Sequence, residues 1–505
     1  MSKSEDKILK LFNQNSEIAV RSFDINQKEI KLYYIDCLIN KELFASGIVS
    51  AIDNLREGEY KNIIHKLEKE FIKVATVKKI SSSKEIKEEI FNGAVVIDAK
   101  EKECLSINTA GFAKRAISEP PTASVVRGPR EGFIEDVETN LSMLRRRLKT
   151  PSFAVKRLKV GERTQTNIVL VYLEGVVNPF VVQKLEEKIG NIKIDGIVDS
   201  YYLEEMLEDG NEKFFKRLGN TEKPDVATAR ILEGRVAIIV DGSPIVLTAP
   251  FILFEDMQAP GDYYDIPARA SFVRLVRLIG LMFAIFLPGM YVALQSYHYR
   301  VLPINFLITL LSSIEGISFP PILEILFVLF LFEILNEASV RMPKQLGMAL
   351  SIIGALVLGD TAVQAGIITP PSIVVVAISG ITLYIIPNQA SEASLLRTIF
   401  TIIGGVTGFY GILLGFVSLT AYLVSIQSYR APYMAPYGPG VATDKKDGFI
   451  KKPLKSMTYR PKSFMTLDSI RLQPNESKNY RVHNENKKKV KKQFNKQKEK
   501  NNGVN

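Results

Sequence analysis

Polar and apolar positions divide this 505-residue chain into three stretches. Charged residues crowd about the first 270 positions and roughly the last 60. Between Ser271 and Ser428 the chain is mostly Leu, Ile, Val, Phe, Gly and Ala. The pattern predicts an α/β soluble N-terminal region, then an all-α polytopic membrane domain, then a disordered basic tail.

The first stretch repeats itself. EIKLYYIDCLINKELF, from Glu29, matches NIVLVYLEGVVNPFVV, from Asn167, with Tyr34 opposite Tyr172, Asp36 opposite Glu174 and Asn40 opposite Asn178. Each reads as a continuous apolar strand, an acidic residue, an Asn and then a helix. NGAVVIDAKEKECLSI, from Asn92, likewise matches EGRVAIIVDGSPIVLT, from Glu233, as strand, turn and strand; Asp241-Gly242 is the clearer hairpin signal. Two related α/β subdomains are expected. Between them, Pro120-Pro121 and Gly128-Pro129 oppose regular structure. Ile134, Val137, Leu141, Leu144 and Leu148 then follow at helical spacing. Arg127, Arg130 and Arg145 to Arg147 either bind an anion or form the solvated face of an ordered linker.

In the apolar stretch, LIGLMFAIFLPGMYVALQSYH carries Pro288 and Gly289 at its middle, where a kink is expected. INFLITLLSSIEG is too short to span easily. PILEILFVLFLFEILNEASV, QLGMALSIIGALVLGDTAVQAG, SIVVVAISGITLYIIP and a long run from Leu395 to Ser428 follow. Gly404, Gly408, Gly411 and Gly415 give the last run GxxxG spacing, which suits close helix packing. Arg269, Arg274 and Arg277 before the first run, Arg341 and Lys344 after the third, and the basic tail all favour the inner side. An even number of crossings, four or six, is therefore expected, with a re-entrant or broken element among them.

Charged groups inside such runs cost several kcal/mol and mark candidate function. Glu333, Glu337 and Arg341 fall four apart on one helical face, with Asn336 beside them, as a polar ladder. Glu324 lies about 180° away on the same helix. The ladder either lines an ion path or holds a neighbouring helix. Leu356, Asp360 and Val363 share a face in the next run, with Gln364 adjacent; Asp360 either faces a path or reaches water at a helix end.

Charge narrows the partners. Asp444 to Asn505 holds 18 Lys/Arg and 6 Asp/Glu, a net +12, which leaves the rest of the chain at −1. The basicity belongs to the tail, which suits anionic lipid, and no nucleic-acid groove is expected. Cys37 and Cys104 lack metal-ligand spacing and read as buried reduced thiols. His65, His298 and His483 are scattered, so no metal site, cofactor or catalytic triad is expected. There is no GxxxxGK[ST] and no strand-linked GxGxxG. Met1-Ser-Lys-Ser-Glu-Asp is polar with no apolar core after it, so no signal peptide is expected and the soluble region reads as cytoplasmic.

SEPPTASVVRGPREGF, LPGMYVALQSYH, FEILNEASVRMP, LGDTAVQAGIITPP and YRAPYMAPYGP, in this order and spacing, resemble the signature blocks of the GerA family. These are the A subunits of nutrient germinant receptors of endospore-forming bacteria. The resemblance covers roughly Ile30 to Gly440. It implies a multi-pass protein of the spore inner membrane, with the N-terminal domain and tail cytoplasmic. The implied partners are a transporter-like B subunit and a lipoprotein C subunit. It also implies a homo-oligomer, with a pentamer as the suggested size, forming a nutrient-gated cation channel and no enzyme. A secondary transporter and a non-conducting scaffold stand as alternatives. The expected division is 1–29 variable segment, 30–130 first subdomain with linker, 131–268 helix and second subdomain, 269–430 transmembrane domain and 431–505 basic tail.

Overall fold

The computed structural model describes residues 18–25, 28–55, 63–71, 77–101, 103–109, 127–208, 214–314, 319–341 and 359–472. They fall into two units. The first runs to Ile252 and also takes Gln427–Ala431 and the stretch from Pro453; the second is Leu253–Ile426 with Pro432–Lys452.

The first unit contains two five-stranded antiparallel sheets. In chain order their strands are β1 (Ile18–Ile25), β2 (Lys28–Ile35), β3 (Val77–Ile80), β4 (Ala94–Asp98) and β5 (Cys104–Asn108), then β6 (Phe153–Val160), β7 (Thr166–Leu173), β8 (Gly219–Thr221), β9 (Val236–Val240) and β10 (Val246–Ala249). The spatial orders are β1-β2-β4-β5-β3 and β6-β7-β9-β10-β8. The register repeats as well: Leu32 pairs with Ile97 in one sheet, and Leu170 with Ile238 in the other. Asn40 and Asn178 both cap the helical stretch after the second strand, accepting from Glu42 N–H and Phe180 N–H. Gly93 and Gly234, at φ +86° and +87°, end the matching helices α1 (Ser83–Phe91) and α5 (Pro224–Leu232) with left-handed turns into β4 and β9. The first domain therefore starts at β1, inside the segment the sequence assigned to a variable terminus.

Helical segments cover both faces of each sheet, which is why the strands read as continuous apolar runs without alternation. On the second sheet, Ile168 and Leu170 meet Val181 and Leu185 of α3 (Pro179–Gly190), which is followed by α4 (Ser200–Leu207). Val169 and Val171 meet Leu141 and Leu144 of α2 (Val137–Arg147), together with Ala227 and Ile231 of α5. The arginines of α2 turn inward. Arg145 is buried, 4.4 Å from the Phe153 ring centre, and Arg146 and Arg147 bond Glu131 at 2.7 and 2.6 Å. Cys104 is a free thiol pushed up to about 12 by burial, with Asp98 adding to it. Pro120-Pro121 lies outside the described residues.

Residues 431–472 correct the expected tail boundary. In the first unit, Phe464 is 2 % exposed and lies 4.1 Å beneath Arg235. Leu467 N–H donates to Val176 O at 3.0 Å, and Arg460 Nε to Leu232 O at 2.8 Å. A net positive charge hid the apolar and hydrogen-bonding content of this stretch.

The second unit is a helical bundle: α6 (Pro267–Ser296), α7 (Ile304–Ile314), α8 (Pro321–Arg341), α9 (Pro370–Leu383) and α10 (Ala390–Ser425). Pro267–Ser296 and Pro387–Ser425 are long and apolar enough to cross a membrane, and α9 is a shorter apolar helix. α6 continues through Pro288. α10 instead breaks at Gly408, where φ is 68° and ψ −156°. Along a straight helix Phe400 and Phe416 would sit about 24 Å apart. Both rings nevertheless pack on Phe286, at 4.6 and 5.6 Å. α10 is therefore a hairpin of two antiparallel halves, residues 390–407 and 409–425.

Its tip and base are both fixed. At the tip, Tyr297 Oη donates to Gly405 O and Val406 O at 3.0 and 2.9 Å, serving carbonyls that the break deprives of helical donors. At the base, Gln389 Nε2 donates to Asp256 Oδ2 at 3.2 Å. There too, Tyr433 N–H reaches Ile426 O, and Leu253 N–H reaches Tyr433 O. The long final run read from sequence as one segment is thus two. A close helix crossing pairs Gly289 with Gly404: a Cβ on Gly289 would lie 2.5 Å from Phe400 O, and one on Gly404 2.4 Å from Gly289 O. Packing of backbone on backbone is the observed role of Gly289.

Candidate functional site

One group of polar side chains in the bundle centres on α8. Glu333 reaches across to α10, accepting from Arg397 Nη2 at 2.6 Å and from the Ser394 hydroxyl. Arg397 is fully buried, while the Glu333 side chain is 41 % exposed, so the carboxylate stays open on one side. Arg397 Nη1 also approaches Ser379 Oγ of α9 at 3.4 Å, and Ser379 Oγ donates to Ala284 O of α6 at 2.8 Å. One guanidinium thus ties three helices. Asn336 accepts from the Tyr384 hydroxyl, and Arg341 pairs with Glu337 on an exposed face.

The expected ladder is therefore divided. Glu337 and Arg341 form a helix-surface pair, Asn336 faces α9, and Glu333 serves Arg397. Sequence reasoning missed Arg397. Its signal was a lone basic residue inside an apolar run, where a buried guanidinium needs a carboxylate.

Asp360 and Gln364 lie on a described helical stretch, 359–364, with Gln364 Nε2 donating to Asp360 Oδ2 at 2.8 Å. Both are exposed and Val363 is half-buried. Leu356 lies outside the described residues.

A second cluster surrounds the first turns of α6. Arg274 is completely enclosed, bonded to Asp262 Oδ2 at 3.0 Å and to Asp447 Oδ1 at 2.9 Å. Arg277 adds two bonds to Asp262, at 2.7 and 2.9 Å. Lys451 Nζ donates to Asp262 O at 2.6 Å, and burial, then the Arg274 charge, holds this lysine below its ordinary value. Arg274 read from sequence as a positive-inside marker; its partner Asp447 was hidden in the assigned tail.

The family described as Bacillus/Clostridium GerA spore germination protein matches residues 6–463. This chain belongs to the GerA family. The match extends past the signature blocks at both ends, in keeping with β1 and the packed stretch to Leu472. Spore germination protein KA of Bacillus subtilis (strain 168) is 33% identical over 477 residues, covering 93% of this chain and 88% of that protein. The uncharacterized membrane protein YfkQ of the same organism is 37% identical over 396 residues, covering 78% of this chain and 77% of that one. The crystal structure of the N-terminal domain of the A subunit of the Bacillus megaterium spore germinant receptor GerK3 has 28% sequence identity and a TM-score of 0.38, over 50% of this chain and 96% of that chain.

Among the described residues no group of three or more His, Cys, Asp or Glu is placed to hold a metal ion. The charged side chains described above tie helices together or lie on exposed faces.

Proposed function

We propose that the chain is the A subunit of a nutrient germinant receptor and oligomerises into a nutrient-gated cation channel of the spore inner membrane. The observation that carries this reading is the family match along residues 6–463. The partners are a transporter-like B subunit and a lipoprotein C subunit, the oligomer is a pentamer, and the chain is not an enzyme.

The bundle supports an even number of crossings. α6 runs from base to tip: Arg277 lies near Met257, and Tyr297 reaches the α10 tip. α8 runs from tip to base, with Ile322 against Gly405 and Glu333 against Arg397. α9 runs parallel to α8, with Thr369 beside Glu324 and Tyr384 beside Asn336. The two halves of α10 add a pair. The chain leaves α8 at the base and enters α9 at the tip, and the apolar run QLGMALSIIGALVLGDTAVQAG, read from the sequence as a candidate span, would bring the proposed count to six. With an even count, the stretches of chain before and after the membrane helices would lie on the inner side, as the basic residues favour.

In this reading the face of Leu356, Asp360 and Val363 lines the pore. Asp360 favours cations, and Leu356 or Val363 forms a dewetting gate. Germinant acts through different affinities for the closed and open states. Val363→Ala is expected to leak cations without nutrient, measured as spontaneous ion release from spores. Mutant spores that stay dormant and keep normal germinant dependence would remove Val363 from the gate.

The broken helix at Gly408 favours a second reading, a secondary transporter. Reconstituted protein separates the two. Flux far above about 10³ ions per second exceeds ordinary turnover and marks a channel.

A further inference from the structure

Glu324 is the carboxylate that the pore reading does not use. It is 2 % exposed, inside the bundle near the α10 tip. Its Oε1 accepts from Thr369 N–H at 2.6 Å and from the Thr369 hydroxyl at 2.8 Å. Among the described residues no hydrogen bond reaches its second oxygen, and no Lys, Arg or His pairs with it. The N-terminus of α9 supplies about half a positive charge. An ionised carboxylate held there with no further counter-charge would cost several kcal/mol.

The surroundings hold further polar atoms. Thr369 and Ser372 are both fully buried, with hydroxyl oxygens 2.7 Å apart. Tyr291 of α6 brings its hydroxyl, sealed from solvent, beside these two. One turn further along the same face, both amide atoms of Gln295 are sealed and unbonded. The walls are apolar: Val292, Ile325, Leu329 and Val376. Buried polar atoms of this kind are rarely left unsatisfied.

We propose that this cluster of polar side chains binds one alkali-metal cation between Glu324, Gln295, Tyr291 and Ser372. Oxygen donors with a single formal negative charge suit Na⁺ or K⁺, whereas a divalent ion takes more carboxylates. The ion neutralises Glu324 and locks α6, α8 and α9 together at the tip. The site is separate from the Asp360 face and does not rest on the pore reading.

The competing account is that Glu324 only caps α9. Glu324→Gln separates the two, because glutamine keeps the acceptor for Thr369 and loses the charge. Melting of the full chain in detergent is measured in NaCl, KCl and choline chloride at equal ionic strength. The wild type should melt higher in NaCl or KCl, with a gain that grows as the logarithm of ion concentration. Glu324→Gln and Gln295→Leu should each abolish that gain, and Glu324→Gln should match or exceed the wild type in choline. Equal melting of the wild type in all three salts would overturn the site and leave a cap with trapped water. An alkali-dependent gain that survives Glu324→Gln would overturn it too. So would stabilisation by acid in choline with no response to alkali ions, which would make a proton the counter-charge. Should Glu324→Gln not accumulate, binding of radioactive sodium or rubidium to the wild type and to Gln295→Leu decides. One competable ion per chain, lost in the variant, is the supporting result, and no binding to the wild type is the refuting one.

Discussion

Arg397 cannot turn to water, so Glu333 determines whether its burial is tolerable. Removing one partner of a buried pair typically costs about 3–5 kcal/mol, more than the pair contributes when intact. Glu333→Ala is therefore expected to destabilise the chain by about that much, whereas Glu333→Leu combined with Arg397→Met should recover most of the loss. Melts of Glu333→Leu, Arg397→Met and the double variant give the coupling energy, and additive losses would show the pair to be uncoupled. Glu337→Ala should cost well under about 1 kcal/mol, because its partner Arg341 is exposed. Sequence spacing could not rank these residues. It places Glu333, Glu337 and Arg341 on one face but registers only neighbours within a helix. The residue that claims Glu333 arrives 64 positions later. Asn40 and Asn178 show the opposite case: their capping role was legible because a cap acts over two or three residues.

At the level of elements, the two sheets were the most legible part. Each repeat block carries its own strand, acid, Asn and Gly, and these local features fix turn and register before any distant contact forms. The α10 hairpin was less legible. Four glycines at GxxxG spacing look alike in sequence, yet Gly404 provides a close approach and Gly408 a reversal. Only backbone conformation separates them: the values at Gly408 lie where a side chain is hardly tolerated. The hairpin makes a directional prediction. On a background lacking Cys37 and Cys104, cysteines at Asn388 and Gln427 should react with a membrane-impermeant reagent from one side of a sealed vesicle, and one at Tyr299 from the other. Opposite-side labelling of 388 and 427 would restore a single span.

For the whole molecule, composition located the soluble-to-apolar transition but misplaced the last boundary. Charge alone made the stretch from 431 a tail, although Tyr433, Ala435, Met457 and Phe464 are buried within it. A chain ending at Lys452 should lose the contacts of Phe464, Arg460 and Leu467 with the second sheet. Burial of one Phe is worth about 1.5–3 kcal/mol. The first unit should therefore melt earlier, as followed by hydrogen exchange in β9 and β10, while a chain ending at Leu472 should keep those protections. Equal exchange in both would show that the packed stretch adds nothing to stability.

The division of the C-terminal stretch between units also sets an order of assembly. Ser428 donates to Arg217 O at 2.6 Å and accepts from Phe251 N–H at 3.0 Å, so part of the first unit is supplied from beyond the hairpin. During synthesis the first 252 residues emerge long before these pieces do. These contacts can form only after the apolar helices have been made, so the first unit receives its last bonds late in synthesis.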